Sequence, residues 1–377
     1  MSPKKKTHAA VKTDAKTAGS GKSIGPQQKP TPRSDGWYIV LAVLAVVILI
    51  VIVFLSLPKR PDQLPFKSEL KLADIRFDGE KAYQHLKQLC DIGPRSSGSP
   101  GMAKQQDLLE DHFKRCGAEV IRQEFTIPDP RGLDVSVLMN SADDETAEYQ
   151  GIVPMTNLIA RWKPDRKKRI LFCAHYDTLP FPMLDPVDPK GEFVGANDGA
   201  SGVALLMQMA ESLEEILSSD QKEYGVDIVL FDGEEYIFDQ SDKFFHGSEY
   251  FARQYAEGKL PYDADYVCGV LVDMIGDSDL QIYFEENSFQ WDDTRPLIRS
   301  IWSTANRLGV NEFIAKPKYE IRDDHLPLHE IGGIACCDII DFDYPEWHTR
   351  DDRPEQCSPE SLAKVGWVLE EWLHGAE

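Results

Sequence analysis

The chain has 377 residues, 42% of them hydrophobic and 28% charged, an ordinary globular balance with enough length for one large domain or two medium ones. Its charge is split: residues 1–60 hold ten Lys or Arg against two acids, and the remainder holds 31 basic and 61 acidic residues. A region that acidic repels nucleic acid, which excludes DNA or RNA as a partner, and seven Cys without a C-x-x-C pair give no zinc-finger or dithiol motif.

Residues 1–36 are rich in Lys, Thr, Ala, Ser, Gly, Pro and Gln, so a disordered basic tail is predicted there. Tyr38 to Leu57 is uncharged and almost wholly apolar, and about 20 such residues cross a bilayer as a helix. Trp37 and Tyr38 would lie at one interface, with Lys59 and Arg60 beyond the other. A transmembrane helix is therefore predicted over 37–58. A cleaved signal peptide is disfavoured, because the run is too long, starts too late and has no A-x-A-like site after it. Most of the positive charge precedes the span, so the amino terminus is expected in the cytoplasm and the rest outside it, in a periplasm or a lumen.

Residues 59–75, with Pro61 and Pro65, read as a stalk, and regular structure is expected from 76 to 377. Phe77–Cys90 and Met102–Cys116 have helical periodicity. Buried strands are predicted at Arg169–Ala174, Asp227–Phe231, Tyr266–Val272 and Ile334–Ile340, and helices at Gly202–Leu217, Pro296–Leu308 and Ser358–Leu373. This alternation implies an α/β fold, a sheet covered by helices on both faces. Cys336 and Cys337 lie in an apolar run and read as core. Cys90 and Cys116, each near a helix end, are a candidate disulfide in an oxidising compartment, with two free thiols as the alternative.

Each predicted strand runs into polar residues able to bind a metal. The first meets His175-Tyr176-Asp177, the second Asp232-Gly233-Glu234-Glu235, and the third ends on Asp273. The fourth leads through Asp341, Phe342, Asp343 and Tyr344 to Trp347-His348-Thr349, and Gly195-Ala196-Asn197-Asp198 precedes a helix. Ligands of open α/β sheets bind at the carboxyl ends of strands, so the five clusters imply one site. Taken singly, a His after a strand is more often structural, a Glu-Glu pair is usually solvated surface, and Asp198 could be only a helix cap. Together, His, Asp and Glu without Cys suit a catalytic zinc with an open position.

The same residues carry a resemblance. H-x-D at His175 and Asp177, G-A-N-D ending at Asp198, G-E-E at Glu234 and Glu235, V-D-M-I-G at Asp273, D-D-H-x-P from Asp323 to Pro327 and W-H-T-x-D-D at His348 resemble the zinc aminopeptidase superfamily, which includes the glutaminyl cyclases. The resemblance covers roughly 76–377 in the family order. It implies a single zinc-exopeptidase-like domain with a mixed central sheet. It also implies zinc bound by Asp198, Glu235 and His348, with Glu234 as general base. In the aminopeptidase branch His175 and Asp273 would hold a second zinc, with Asp198 bridging and Asp177 beside them. In the cyclase branch one zinc is usual, and Asp273 and Asp323 join an acid network beside the substrate.

Three features resemble the cyclase branch: Trp347 directly before His348, where it would wall a small pocket; eleven residues between Glu235 and Gly247-Ser248; and Phe193-Val194-Gly195-Ala196 together with Tyr176. Position 338 departs from the pattern, with Asp where animal cyclases place His. The resemblance thus implies conversion of amino-terminal Gln of peptides or proteins to pyroglutamate with release of ammonia. The alternatives are a di-zinc aminopeptidase and a membrane-anchored binding ectodomain without catalysis. Every ligand position is filled, which counts against the last.

Overall fold

Helix caps, turns and strand alternation set the frame of the computed structural model, which describes residues 67–130, 151–218 and 222–376. Helix α1, Gly79–Cys90, starts where the Asp78 side chain accepts from Lys81 N at 3.0 Å, and α2, Pro100–Arg115, starts at Ser99 with Pro in its first turn. Strands β1, Glu119–Pro128, and β2, Ile152–Trp162, follow, then β3, Lys168–His175, and helix α3, Ala200–Ile216. Next come β4, Gly225–Phe231, α4, His246–Ala256, β5, Asp265–Asp273, and the short β6, Ile282–Phe284. The chain continues with α5, Glu286–Gln290, α6, Arg295–Leu308, β7, Phe313–Pro317, and α7, His325–Glu330. It closes with β8, Cys336–Ile340, and α8, Pro359–Gly375.

Six strands form a sheet in the order β1-β2-β4-β3-β5-β8. The last four run parallel, and β2 joins β4 antiparallel, as β1 joins β2. The sheet is therefore mixed. Period-two alternation sends Ile170, Phe172 and Ala174 of β3 into a core with α1, α2, α3, α6 and α8. Leu171 and Cys173 face the opposite way, against Phe251 of α4 and Leu328 of α7. Helices thus cover both faces, as the alternation predicts. Gly202 lets α3 approach closely, since a Cβ there would stand 2.3 Å from the carbonyl oxygen of Val272.

The four expected strands and five long helices are present, with ends that coincide or shift by at most two residues. Strands β1, β2, β6 and β7 and helices α4, α5 and α7 are additions. Within the range expected as a stalk, Ser68 donates to Glu312 Oε1 at 3.0 Å, and Ile75 is buried in the main core. The expected tail and membrane span lie outside the described residues. No helix among those described is long and apolar enough to cross a membrane. All seven cysteines are free, so Cys90 and Cys116 form no disulfide, and Cys336 and Cys337 are core residues as expected.

Candidate active site

The parallel strands end on one edge, and the chemistry gathers there. His175 is the last residue of β3 and Asp273 the last of β5. Glu234 and Glu235 follow β4, His348 follows β8, and Asp198 precedes α3. Gly199 makes the turn into α3 with φ 90°, and a Cβ there would stand 2.6 Å from the carbonyl oxygen of Asp177. Phe245, Met274 and His348 are non-glycine residues held at φ 61°, 45° and 57°, and all three line the same cavity. Such left-handed backbone persists only where the surroundings enforce it, and it concentrates at functional sites.

Two groups of metal-competent donors share Asp198. In one, ligand atoms of Asp198, Glu235 and His348 lie within 4.8 Å of one another, and in the other those of His175, Asp198 and Asp273 do. His348 Nε2 is 3.4 Å from both Asp198 Oδ2 and Glu235 Oε2. His175 Nε2 is 3.2 Å from both Asp198 Oδ1 and Asp273 Oδ1. Asp198 Oδ2 is buried without a hydrogen-bond donor, an orphan that a cation would satisfy. The donor set of His, Asp and Glu without Cys fits zinc.

The expected ligands are held by two further carboxylates: Asp352, which sequence alone did not assign a role, and Asp177, which it placed beside the second-metal residues. Asp352 accepts from the amides of Asn197 at 2.8 Å and Asp198 at 3.1 Å, and Tyr344 Oη donates to it at 2.8 Å. Burial, reinforced by Asp198, pushes its carboxyl up to about 7. Asp177 accepts from the amides of Glu234 at 3.0 Å and Glu235 at 3.2 Å. It lies outside both donor groups and fixes the Glu-Glu turn from behind. Glu235 Oε1 accepts from Leu179 N at 2.6 Å, which leaves Oε2 toward His348. The clue to Asp352 was present in the W-H-T-x-D-D motif, where the second Asp is this acceptor.

Not every residue of the five clusters enters the site. Asp232 takes Ser97 Oγ at 2.6 Å and Thr156 N at 2.8 Å, and Asp341 caps Gln281 N at 2.7 Å. Asp343 pairs with Lys318. These carboxylates organise loops.

The site is acidic, and most of its charged side chains are buried. Burial raises the Glu234 carboxyl well above its ordinary range; His175 pulls it back, and Asp323, Glu235 and Asp324 repel it. Burial, then Asp273 and Asp324, raises Asp323 likewise. Burial acts against the charge on His175, but Asp273, Asp177 and Asp198 overcome it and raise the imidazole. For His348 burial wins over Asp198, and its pKa is lowered, leaving the neutral imidazole that a metal requires.

A cavity of about 390 Å³ opens onto Asp198, Glu234, Glu235, Asp273, Asp323 and His348. Trp347 forms part of its wall, tilted 31° to the His348 ring with centroids 4.0 Å apart and backed by Phe342. The segment after Glu235 supplies Ile237, Gln240, Phe244 and Phe245 to the same wall. The structure therefore brings together every expected site residue except Asp177, which acts from behind. Asp338 is buried near the cavity but does not line it; His325 Nδ1 stands 3.7 Å from its Oδ2.

Residues 157–373 match the model of peptidase family M28. A glutaminyl cyclase of Fimbriiglobus ruber, known from its crystal structure, is 36% identical; the match covers 83% of this chain and all of that one, with a TM-score of 0.71. The chain belongs to peptidase family M28, in its glutaminyl cyclase branch. A glutaminyl-peptide cyclotransferase of Drosophila melanogaster is 28% identical over 284 residues, 68% of this chain and 76% of the relative. A Zn-dependent exopeptidase of Parabacteroides distasonis is 26% identical over 80% of this chain and 99% of its own, with a TM-score of 0.69. Membership in M28 and this neighbour agree with zinc as the metal of the site.

Proposed function

We infer that the chain is a zinc-dependent glutaminyl-peptide cyclotransferase acting on peptides or proteins with amino-terminal Gln. The observation that carries the reading is the position of Glu234: it lines a small, aromatic-walled cavity beside the Asp198–Glu235–His348 donor group. One zinc would be held by those three residues, where it would polarise the γ-carboxamide carbonyl of the bound glutamine as a Lewis acid.

The protein's own part is to position and to move one proton. The substrate's neutral α-amine attacks its own γ-carbon, the C–N bond to the carboxamide nitrogen breaks, and a five-membered lactam remains. Glu234 takes the proton from the attacking amine and gives it to the departing nitrogen, which leaves as ammonia. Its raised pKa suits a group that must both accept and return a proton. Asp323, whose carboxyl burial raises, faces the cavity where the substrate would lie, and Asp273 is tied to His175 in the same acid network. Effective molarities of about 10⁵–10⁸ M reward an intramolecular nucleophile held in place. Trp347 and Phe342 supply that confinement and exclude the water that would hydrolyse the carboxamide to glutamate.

The second reading, a di-zinc aminopeptidase, is favoured by one observation, the His175–Asp198–Asp273 group. In the cyclase reading a proton on His175 Nε2, shared with those two carboxylates, stands where the second ion would be. Acetylating the amino terminus of a Gln-initiated peptide tests the mechanism: ammonia release should cease, because the nucleophile has become an amide. Continued release from the acetylated peptide would mean that an external water attacks.

The apolar run from Tyr38 to Leu57, with the basic excess before it, supports a single-pass anchor with the catalytic unit outside the cytoplasm. Retention of the full chain in membranes after carbonate washing is the expected result, and release into the wash would refute the anchor.

A further inference from the structure

We propose that His85, His112 and Glu211 form a second divalent-metal site of the zinc class, separate from the catalytic centre and structural in role. The three come from three helices: His85 from α1, His112 from α2 and Glu211 from α3. One ligand atom from each lies within 4.8 Å of the other two. Glu211 stands eleven residues into α3, so about 16 Å of helix at 1.5 Å per residue separates it from the end that carries the catalytic ligand Asp198.

Both imidazoles offer a nitrogen to the site. His112 Nε2 sits 2.8 Å from the carbonyl oxygen of Met207, which can only accept, so the proton is on Nε2 and the lone pair on Nδ1. His85 Nε2 is buried with no hydrogen-bond partner. Metal-bound histidines are oriented as His112 is, one nitrogen toward the ion and the other toward a carbonyl. His85 Nε2 lies 3.8 Å from Glu211 Oε1, too far for a hydrogen bond.

Two imidazoles and one carboxylate match the donor types that zinc prefers, and a water would complete four-coordination. Bonds of about 2.0–2.2 Å require the donors to close by roughly 1 Å, within reach of side-chain rotation. The competitor for Glu211 is Lys81, which pairs with it at the surface. Exposed ion pairs of that kind are weak and readily displaced. A metal here would tie α1 and α2 to α3.

The test uses the full-length holoenzyme, loaded with its catalytic zinc and titrated with Zn²⁺ in a calorimeter, beside the variants His85→Gln and Glu211→Gln. The wild type is expected to take up one further equivalent and to rise in Tm. Both variants should keep the catalytic ion, the fold and full turnover but lose that equivalent and the Tm rise. His85 makes no Nε2 hydrogen bond to lose, so its variant should fold normally. No further uptake by the wild type, or undiminished uptake by both variants, overturns the proposal.

Discussion

The amide of Asp198 donates to Asp352 Oδ2 at 3.1 Å, which orients a metal-binding carboxylate through its own backbone. The neighbouring amide of Asn197 donates to the other oxygen of Asp352, so the turn that carries Asp198 is clamped at two points. Loss of such supporting contacts typically weakens metal binding by 10–100-fold. Asp352→Ala is expected to lower zinc affinity by about that factor while Asp198 and His348 remain. Zinc retention during dialysis against a graded chelator series measures it, and unchanged retention would show that the clamp is dispensable.

Adjacent glutamates should divide their roles. Glu235→Ala removes a donor from the Asp198–Glu235–His348 group and should empty the site of zinc. Glu234→Gln keeps size and polarity and should retain zinc and fold, while turnover falls by roughly 10²–10⁴-fold, the range for a general acid–base group. Metal content and steady-state rates on the two purified proteins decide it. Equal zinc loss from both would refute the division.

Acid stability should depend on Glu285. It caps α5 by accepting from Asn287 N at 2.8 Å and Ser288 N at 2.7 Å, and it also holds Ile321 N at 3.0 Å at the cavity wall. Burial opposes its charge, but His325 and then Ser288 win and hold its carboxyl at about 2. A carboxyl lowered in the folded state stabilises above its unfolded pKa, about 4.3, and that contribution is lost as pH falls through the folded value. Glu285→Gln is therefore expected to be less stable than wild type by ~3 kcal/mol at pH 6. The difference should shrink from about pH 4.5 downward and vanish near pH 2. Urea titrations across that range measure it, and a difference independent of pH would rule out the carboxylate as its source.

The sequence made the catalytic edge legible because its strands are buried on both faces. Strands β3 and β4 are almost continuous apolar runs, each stopping at a polar cluster, so strand ends and ligands announce themselves together. Strand β1 gave no such signal for the opposite reason: it is an edge strand in which Glu, Arg, Gln and Thr interrupt the apolar residues, and only Ile127 is buried. Strands β6 and β7 span three and five residues, too short for a periodic signal. The roles of Asp177 and Asp352 were hidden because each carboxylate grips backbone amides, Asp177 from 57 residues away and Asp352 from more than 150. Such partnerships leave no spacing to read. Cys90 and Cys116 were correctly placed near helix ends, yet helix ends alone could not say whether their side chains meet.

The central claim is that the cavity beside Glu234 cyclises glutamine and does not hydrolyse the first peptide bond. The most direct test gives the purified enzyme two peptides that differ only in their first residue, Gln or Leu, and weighs the products by mass spectrometry. The account predicts that the Gln peptide loses one ammonia and keeps every residue, while the Leu peptide is unchanged. Free leucine from the second peptide, with no loss of ammonia from the first, would contradict it and leave the di-zinc aminopeptidase in its place.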